Sequence, residues 1–278
     1  MILVTGATGF IGKNLCIEFL RRNINFYCIV RDTTNTHFFE INNIPFFRLK
    51  DDVYEIEKLL IKMNTKGLIH LASCYLPEHK PEDILAIINS NIYFGSILLE
   101  ASKRVSLKWF INTGTFWQHF NGEEYNPVNF YSASKESFEK IAKYYTETSD
   151  LIFLTIKLND TYGPNDTRNK IFNLWDQLVK SNTELDMSPG EQLIDICHVS
   201  KVIKSYIKII KILNSSNAND LKNKSLYVTS GKLVTLKELA RNYELEKKVK
   251  LNINWGGKPY RSREVMKPDC LGQNIDEI

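Results

Sequence analysis

VTGATGFIG, residues 4–12, sets Gly6, Gly9 and Gly12 directly after the strand-like run ILVT and at the start of the helical pattern FIGKNLCIEFLRR. Spaced glycines alone are weak evidence. Here strand, turn and helix fall in register, which is the context a dinucleotide-binding turn requires. Gly6 permits the tight turn, Gly9 lets a pyrophosphate approach the helix N-terminus, and Gly12 lets helix and strand pack closely. Thr8, Phe10 and Ile11 of the same turn join them as candidate cofactor contacts. The rival reading is an ordinary strand–helix turn that uses glycine for steric reasons.

Outward from that turn, short apolar runs alternate with longer helical patterns. NFYCIV, PFFRL, GLIHLA, LKWFIN and LIFLTIKL read as strands, and the stretches between several of them carry helical periodicity. Such alternation predicts an α/β fold, a Rossmann-like doubly wound parallel sheet covered on both faces. After residue 158 the pattern loosens into the polar loop NDTYGPNDTRN. The reading is a dinucleotide-binding domain over 1–157 plus about 193–230, and a smaller discontinuous lobe over about 158–192 and 231–278.

The second strand ends in Arg31–Asp32. An acid there suits an NAD ribose and a basic residue suits the 2′-phosphate of NADP. Arg31 comes first, which favours NADPH and leaves NAD open. Leu71, Ala72 and Ser73 end the fourth strand at the carboxyl edge where a dinucleotide crosses. Asp51 or Asp52 is placed to touch adenine or, more economically, to cap a helix.

The net charge of +4 is too slight to argue for nucleic acid. The five cysteines are widely spaced, and no C-x-x-C occurs, which predicts a reduced, cytoplasmic chain. The apolar helix near VIKSYIKIIKIL is interrupted by lysines, so no membrane partner is expected, and no cluster has metal-ligand spacing.

NFYSASKESFEK, residues 129–140, places Tyr131 and Lys135 four apart at the start of a helix, hence on one face. A free tyrosine is a poor acid near neutrality. An ammonium one turn away is expected to lower its pKa, so that it can pass a proton to a carbonyl oxygen. Thr113 and Thr115 at the preceding strand end offer a hydroxyl to polarise that carbonyl.

The glycine turn and Y-x-x-x-K together resemble the extended short-chain dehydrogenase/reductases of the sugar-nucleotide epimerase/dehydratase group. The likeness runs nearly the whole length, through TGATGFIG, HLAS, NTGTFWQ, YSASK, YGP, DICHV and PYRSREVM. Within the group the chain is most similar to CDP-abequose synthase-type reductases of nucleotide-activated 4-keto-6-deoxy sugars. The resemblance implies Tyr131 as proton donor, Lys135 as ribose-binding group, Thr115 as the catalytic hydroxyl with Thr113 as fallback, and Asn91 as a support of the site, with Asn91, Tyr131 and Lys135 all counted as cofactor contacts. It implies a nucleotide-sugar partner, a homodimer through the helices near 81–104 and 131–148, and a place in surface polysaccharide synthesis.

Departures shape the rest. Dehydratases of the group usually carry Thr-Asp-Glu where this chain has Thr115-Phe116-Trp117, so elimination of water is disfavoured. Phe116, Trp117 and His119 are expected at the pocket wall, with core packing as the alternative. Ile194 stands where relatives have a diphosphate-reading arginine, which shifts that role to Arg168, Arg261 or Arg263. Asn159 completes the candidate substrate contacts. Two further readings remain open, an NAD-retaining epimerase and a catalytically silent NADP-binding regulator.

Overall fold

The computed structural model describes residues 1–181 and 183–278. In chain order its elements are β1 (Ile2–Thr5), α1 (Phe10–Arg21), β2 (Phe26–Val30), α2 (His37–Ile41), β3 (Phe46–Arg48), α3 (Val53–Lys62), β4 (Gly67–His70), α4 (Ile84–Ile88), α5 (Phe94–Arg104), β5 (Trp109–Thr115), α6 (Phe130–Glu147) and β6 (Ile152–Leu158). There follow β7 (Asp160–Tyr162), α7 (Ile171–Ser181), β8 (Leu185–Met187), β9 (Leu193–Ile194), β10 (Ile196–His198), α8 (Val199–Leu213), β11 (Ser225–Val228), β12 (Val234–Thr235), α9 (Leu236–Lys247), β13 (Ile253–Trp255) and β14 (Gln273–Asn274).

Eight strands form one sheet in the order β14-β11-β6-β5-β4-β1-β2-β3, and every pairing in it is parallel. The chain leaves β1 in one direction through β2 and β3, then returns to the other side through β4, β5 and β6. The resulting switch point between β1 and β4 opens a crevice at the carboxyl edge. β1, β4 and β6 are buried along their whole length, as expected of strands covered on both faces.

Two apolar cores flank the sheet. Val4, Leu15, Phe19, Ile111, Val202 and Tyr206 join β1 and β5 to α1 and α8. Leu3, Tyr27, Ile56, Leu98, Phe110 and Phe138 join the opposite face to α3, α5 and α6. Each fully buried side chain of this size stabilises the fold by about 1.5–3 kcal/mol. A third cluster, with Trp175, Leu178, Leu236, Leu239 and Tyr243, packs α7 on α9 away from the sheet.

The helical stretch Pro81–Arg104 is long and apolar enough to cross a membrane by length and composition. Here one face of it is buried, through Ile87, Ile97, Leu98, Leu99 and Ala101, and the other is exposed. The sequence division assigned 231–278 to the smaller lobe, but its end behaves differently. Gln273–Asn274 extends the main sheet beside β11, and Ile275 is buried in the first core. Two polar residues ahead of one isoleucine carry no alternation that would reveal an edge strand.

Candidate active site

The glycine turn is built for a close approach. Gly6 has φ +67°, and a Cβ there would lie 2.4 Å from the backbone nitrogen of Ala72. A Cβ on Gly12 would lie 2.3 Å from the carbonyl oxygen of Gly6, so helix and turn could not meet. Gly9 caps α1 with no side chain over the first turn, which leaves the helix N–H groups facing the crevice. Thr8, Phe10 and Ile11 are partly exposed around this turn, and Leu71, Ala72 and Ser73 border it from β4. The donors and the open cradle fit a dinucleotide pyrophosphate.

Arg31 is exposed just beyond β2. The loop that carries it is held by Arg48, which donates to the carbonyls of Arg31 (3.1 Å), Asp32 (2.6 Å) and Thr34 (3.1 Å). Asp52 caps α3 by accepting the N–H of Glu55 at 2.9 Å. Asp51 makes no such cap; its carboxyl is raised by burial and pulled back by Arg31.

Asn91 sits in a π-helical turn, Asn89–Tyr93, between α4 and α5. It is fully buried. Its oxygen accepts from Ser73 Oγ and Cys74 N at 3.1 and 2.7 Å, and its amide donates to Cys74 O and Ser134 Oγ at 3.1 and 2.9 Å. Every polar position is used, so Asn91 braces the β4 end against α6 and has no atom left to touch a cofactor.

Tyr131 lies in the first turn of α6, which Asn129 caps by accepting the Ser132 N–H at 2.9 Å. The same Asn129 donates to Pro77 O at 2.9 Å, which docks the helix start on the loop after β4. The expectation that Lys135 lowers the tyrosine pKa is corrected here. Burial pushes the Tyr131 phenol up to about 12, against a smaller opposing pull from a hydrogen bond with Ser73. Lys135 is itself almost fully buried. Its ammonium is held down to about 8 by burial, with Glu139 supporting the charge. Burial holds the His70 imidazole well below its ordinary value, and the Lys135 charge adds to this.

Of the two threonines, Thr113 shares a 2.6 Å hydrogen bond with Tyr206 beneath the sheet end. Thr115 Oγ1 accepts the Trp117 N–H at 3.3 Å and keeps its own hydrogen for another acceptor.

The substrate-side residues fare differently. Arg168 is not free to read a diphosphate. It donates to both Asp166 carboxylate oxygens, at 2.8 and 2.7 Å, and to Thr161 O at 2.7 Å, and lies 4.2 Å over the Phe10 ring. Arg263 bonds Asn126 and lies 4.4 Å over Phe120, with its Nε buried and unpartnered among the described residues. Arg261 is exposed, and its carboxylate neighbour is Glu78 at 3.6 Å. The Asn159 amide donates to Asp195 at 2.9 Å and Val228 O at 3.2 Å, as a brace between strand ends. Trp117 and Phe116 are half-buried at the cleft. His119 takes the packing alternative: it turns inward, nearly buried, onto the Lys157 ammonium.

Several site residues escaped the sequence reading. The Tyr75 ring stands edge-on to Tyr131 at 5.0 Å and beside Trp117 at 5.9 Å. Lys170 donates to Tyr75 Oη at 3.2 Å and to Asp160 at 3.3 Å, which places a cation in the same cleft. Under Thr115 lie Gln118, Glu136, Glu139 and Lys157. Tyr75 follows the LAS strand end closely, which is a weak positional signal. Lys170 carried none beyond its place beside a polar loop. Among the described residues, no three His, Cys, Asp or Glu side chains gather closely enough to hold a metal ion.

Comparison with known proteins gives a consistent outcome. The model of the NAD dependent epimerase/dehydratase family matches residues 2–222. A CDP-abequose synthase from Yersinia pseudotuberculosis is 29% identical over 276 residues, covering 99% of this chain and 93% of that protein. One from Salmonella muenchen is 28% identical over 268 residues, covering 95% and 87%. Among solved structures, a UDP-glucuronic acid 4-epimerase from Bacillus cereus matches with a TM-score of 0.82 at 19% identity, covering 99% of this chain and 90% of that one. A UDP-glucose 4-epimerase from Thermus thermophilus, in complex with NAD, matches with a TM-score of 0.80 at 19% identity, covering 97% and 89%.

Proposed function

The chain belongs to the NAD dependent epimerase/dehydratase family, and from that premise we propose that it uses NADPH to reduce the C4 ketone of a nucleotide-activated 4-keto-6-deoxy hexose. A nicotinamide dinucleotide held on the Gly6–Gly12 turn supplies the hydride. Tyr131 holds the proton. Its phenol, pushed up to about 12, stays protonated at neutral pH and donates as charge develops on the carbonyl oxygen. Thr115 gives that oxygen a second hydrogen bond. The Lys135 ammonium, charged below about pH 8, holds the ribose.

The observation that carries the reading is the chemistry around this acid. Thr115 is followed by Phe116 and Trp117 instead of carboxylates, and Tyr75 completes an aromatic wall beside Tyr131. Such a wall suits a C6 methyl and offers no base for eliminating water. Arg261 and Lys170 supply cationic charge for the diphosphate. Arg31 favours the 2′-phosphate of NADPH. Similarity to CDP-abequose synthases supports a product destined for surface polysaccharide. The exposed Ile84, Leu85, Tyr93 and Tyr144 on the helices α4 to α6 support pairing of two copies.

The test is direct. The purified protein is given NADPH and CDP-, dTDP- or UDP-linked 4-keto-6-deoxyglucose, and loss of reduced nicotinamide is followed with product analysis at C4. One NADPH consumed per sugar is expected, with the CDP sugar fastest. Conversion at a sugar stereocentre with no NADPH consumed, and NAD released on denaturation, would establish the epimerase instead.

A further inference from the structure

Between the β5 end and α6 lies a side chain that touches both halves of the proposed machinery. Gln118 is fully buried. Its oxygen accepts the Thr115 N–H at 2.9 Å. Its amide nitrogen donates to Glu136 Oε2 at 2.7 Å and to Glu139 Oε1 at 2.9 Å. Glu136 and Glu139 belong to the helix that carries Tyr131 and Lys135. From this geometry we propose that Gln118 is a positioning residue: one amide fixes Thr115 against α6 and orients the Glu139 carboxylate one helical turn along from Lys135. The inference rests on the assignment of Thr115, Tyr131 and Lys135 made above.

The site is built for this side chain. A Cβ on Gly114 would lie 2.7 Å from the Gln118 oxygen, so only glycine leaves room for it against the strand. An amide has two donors and does not titrate, so one residue can serve both carboxylates whenever they are charged. The hydrogen bonds it gives are charge-assisted and correspondingly strong. A carboxylate at 118 would instead crowd three like charges in a dry space.

The surrounding charges define what Gln118 controls. Burial raises the Glu139 carboxyl, while Lys157 of β6 and the Gln118 hydrogen bond pull it back, Glu136 opposes them, and Lys135 adds a smaller pull. Lys140 pairs with Glu136 at 3.3 Å on the outer side. His119 occupies Lys157 from the loop side. The charge of Lys135 is supported by Glu139 of its own helix and is felt by His70 of β4. Take away the Gln118 donor and Glu139 holds its proton to higher pH. Lys135 then loses the charge that supports its ammonium and deprotonates at lower pH.

The experiment compares Gln118→Met, which keeps shape and removes all three bonds, with Glu139→Gln, which can still accept from Gln118 and removes only the charge. For each, kcat and KM of keto-sugar reduction are measured against pH. Dinucleotide binding is measured against pH by fluorescence quenching without sugar. The expected result is an alkaline limb moved down by about one pH unit in both variants, with KM for the sugar unchanged and dinucleotide affinity at mildly acidic pH preserved. A wild-type alkaline limb in Glu139→Gln overturns the proposal, as does a folded Gln118→Met with an unshifted profile. If Gln118→Met does not fold, Glu139→Gln decides alone. If the wild-type protein reduces no keto-sugar, the functional reading fails, and the binding profile still decides this inference.

Discussion

The two sides of the cleft are made of different materials. The dinucleotide side is made of backbone: a turn at Gly6, a helix start at Gly9, and a contact at Gly12 that no Cβ survives. The sugar-nucleotide side is made of long charged side chains, and the fold has already assigned most of them. Arg168 is held by Asp166, and Arg263 by Asn126 and Phe120. A steric requirement can be met by one residue type and so leaves a mark in sequence. A guanidinium can satisfy many partners, and its sequence position does not say which one it takes.

Five substitutions can break or sharpen that contrast. The largest effect is expected where the two sides meet. Tyr131→Phe should lower kcat about 10²–10⁴-fold with little change in either KM, measured by steady-state reduction of the keto-sugar. Gly12→Ala should come next. Its Cβ would sit 2.3 Å from Gly6 O, and relieving such overpacking costs about 1–3 kcal/mol. Dinucleotide Kd by titration should rise about tenfold or more. If affinity were retained, the backbone account of that side would fall.

Across the cleft the contrast is between two arginines. Arg261→Ala should raise KM for the nucleotide sugar about tenfold, the scale of one charge-assisted hydrogen bond, and leave dinucleotide affinity alone. Arg168→Ala should instead lower the thermal midpoint, because it strips Asp166 of its partner, and change KM little. An exchange of these outcomes would reverse the assignment. The smallest effect is expected at the cofactor edge. Arg31 is exposed, so Arg31→Ala should reduce the preference for NADPH over NADH by only about threefold to tenfold, given the modest worth of exposed charge pairs.

The same contrast explains what could be read from sequence. The doubly wound parallel sheet and the pairing of Tyr131 with Lys135 on one helix face follow from alternation and spacing; the order of the strands does not. The helix over 37–41 and the edge strand at 273–274 were missed, because each is short and lacks period. The electrostatics of Tyr131 was misjudged because spacing tells which groups are near and burial tells what nearness is worth. Gln118 was invisible for a related reason. An uncharged residue in an aromatic loop acquires meaning only when three partners converge on it, one from the strand end just before it and two from a helix 18 and 21 residues further on.

Because Asn89–Tyr93 winds as a π turn, the helix between Asp83 and Arg104 carries one residue more than a regular helix of the same reach. Excising a residue there would leave a well-bonded α-helix, yet each position upstream would swing by about 100° around the axis. Asn91 would leave its partners, or Ile87 would leave the core. Side chains on the outer surface of this segment are therefore free to drift over generations, whereas the tally of residues within it is not: gaps and insertions among distant descendants should avoid this stretch and accumulate in the loops on either side.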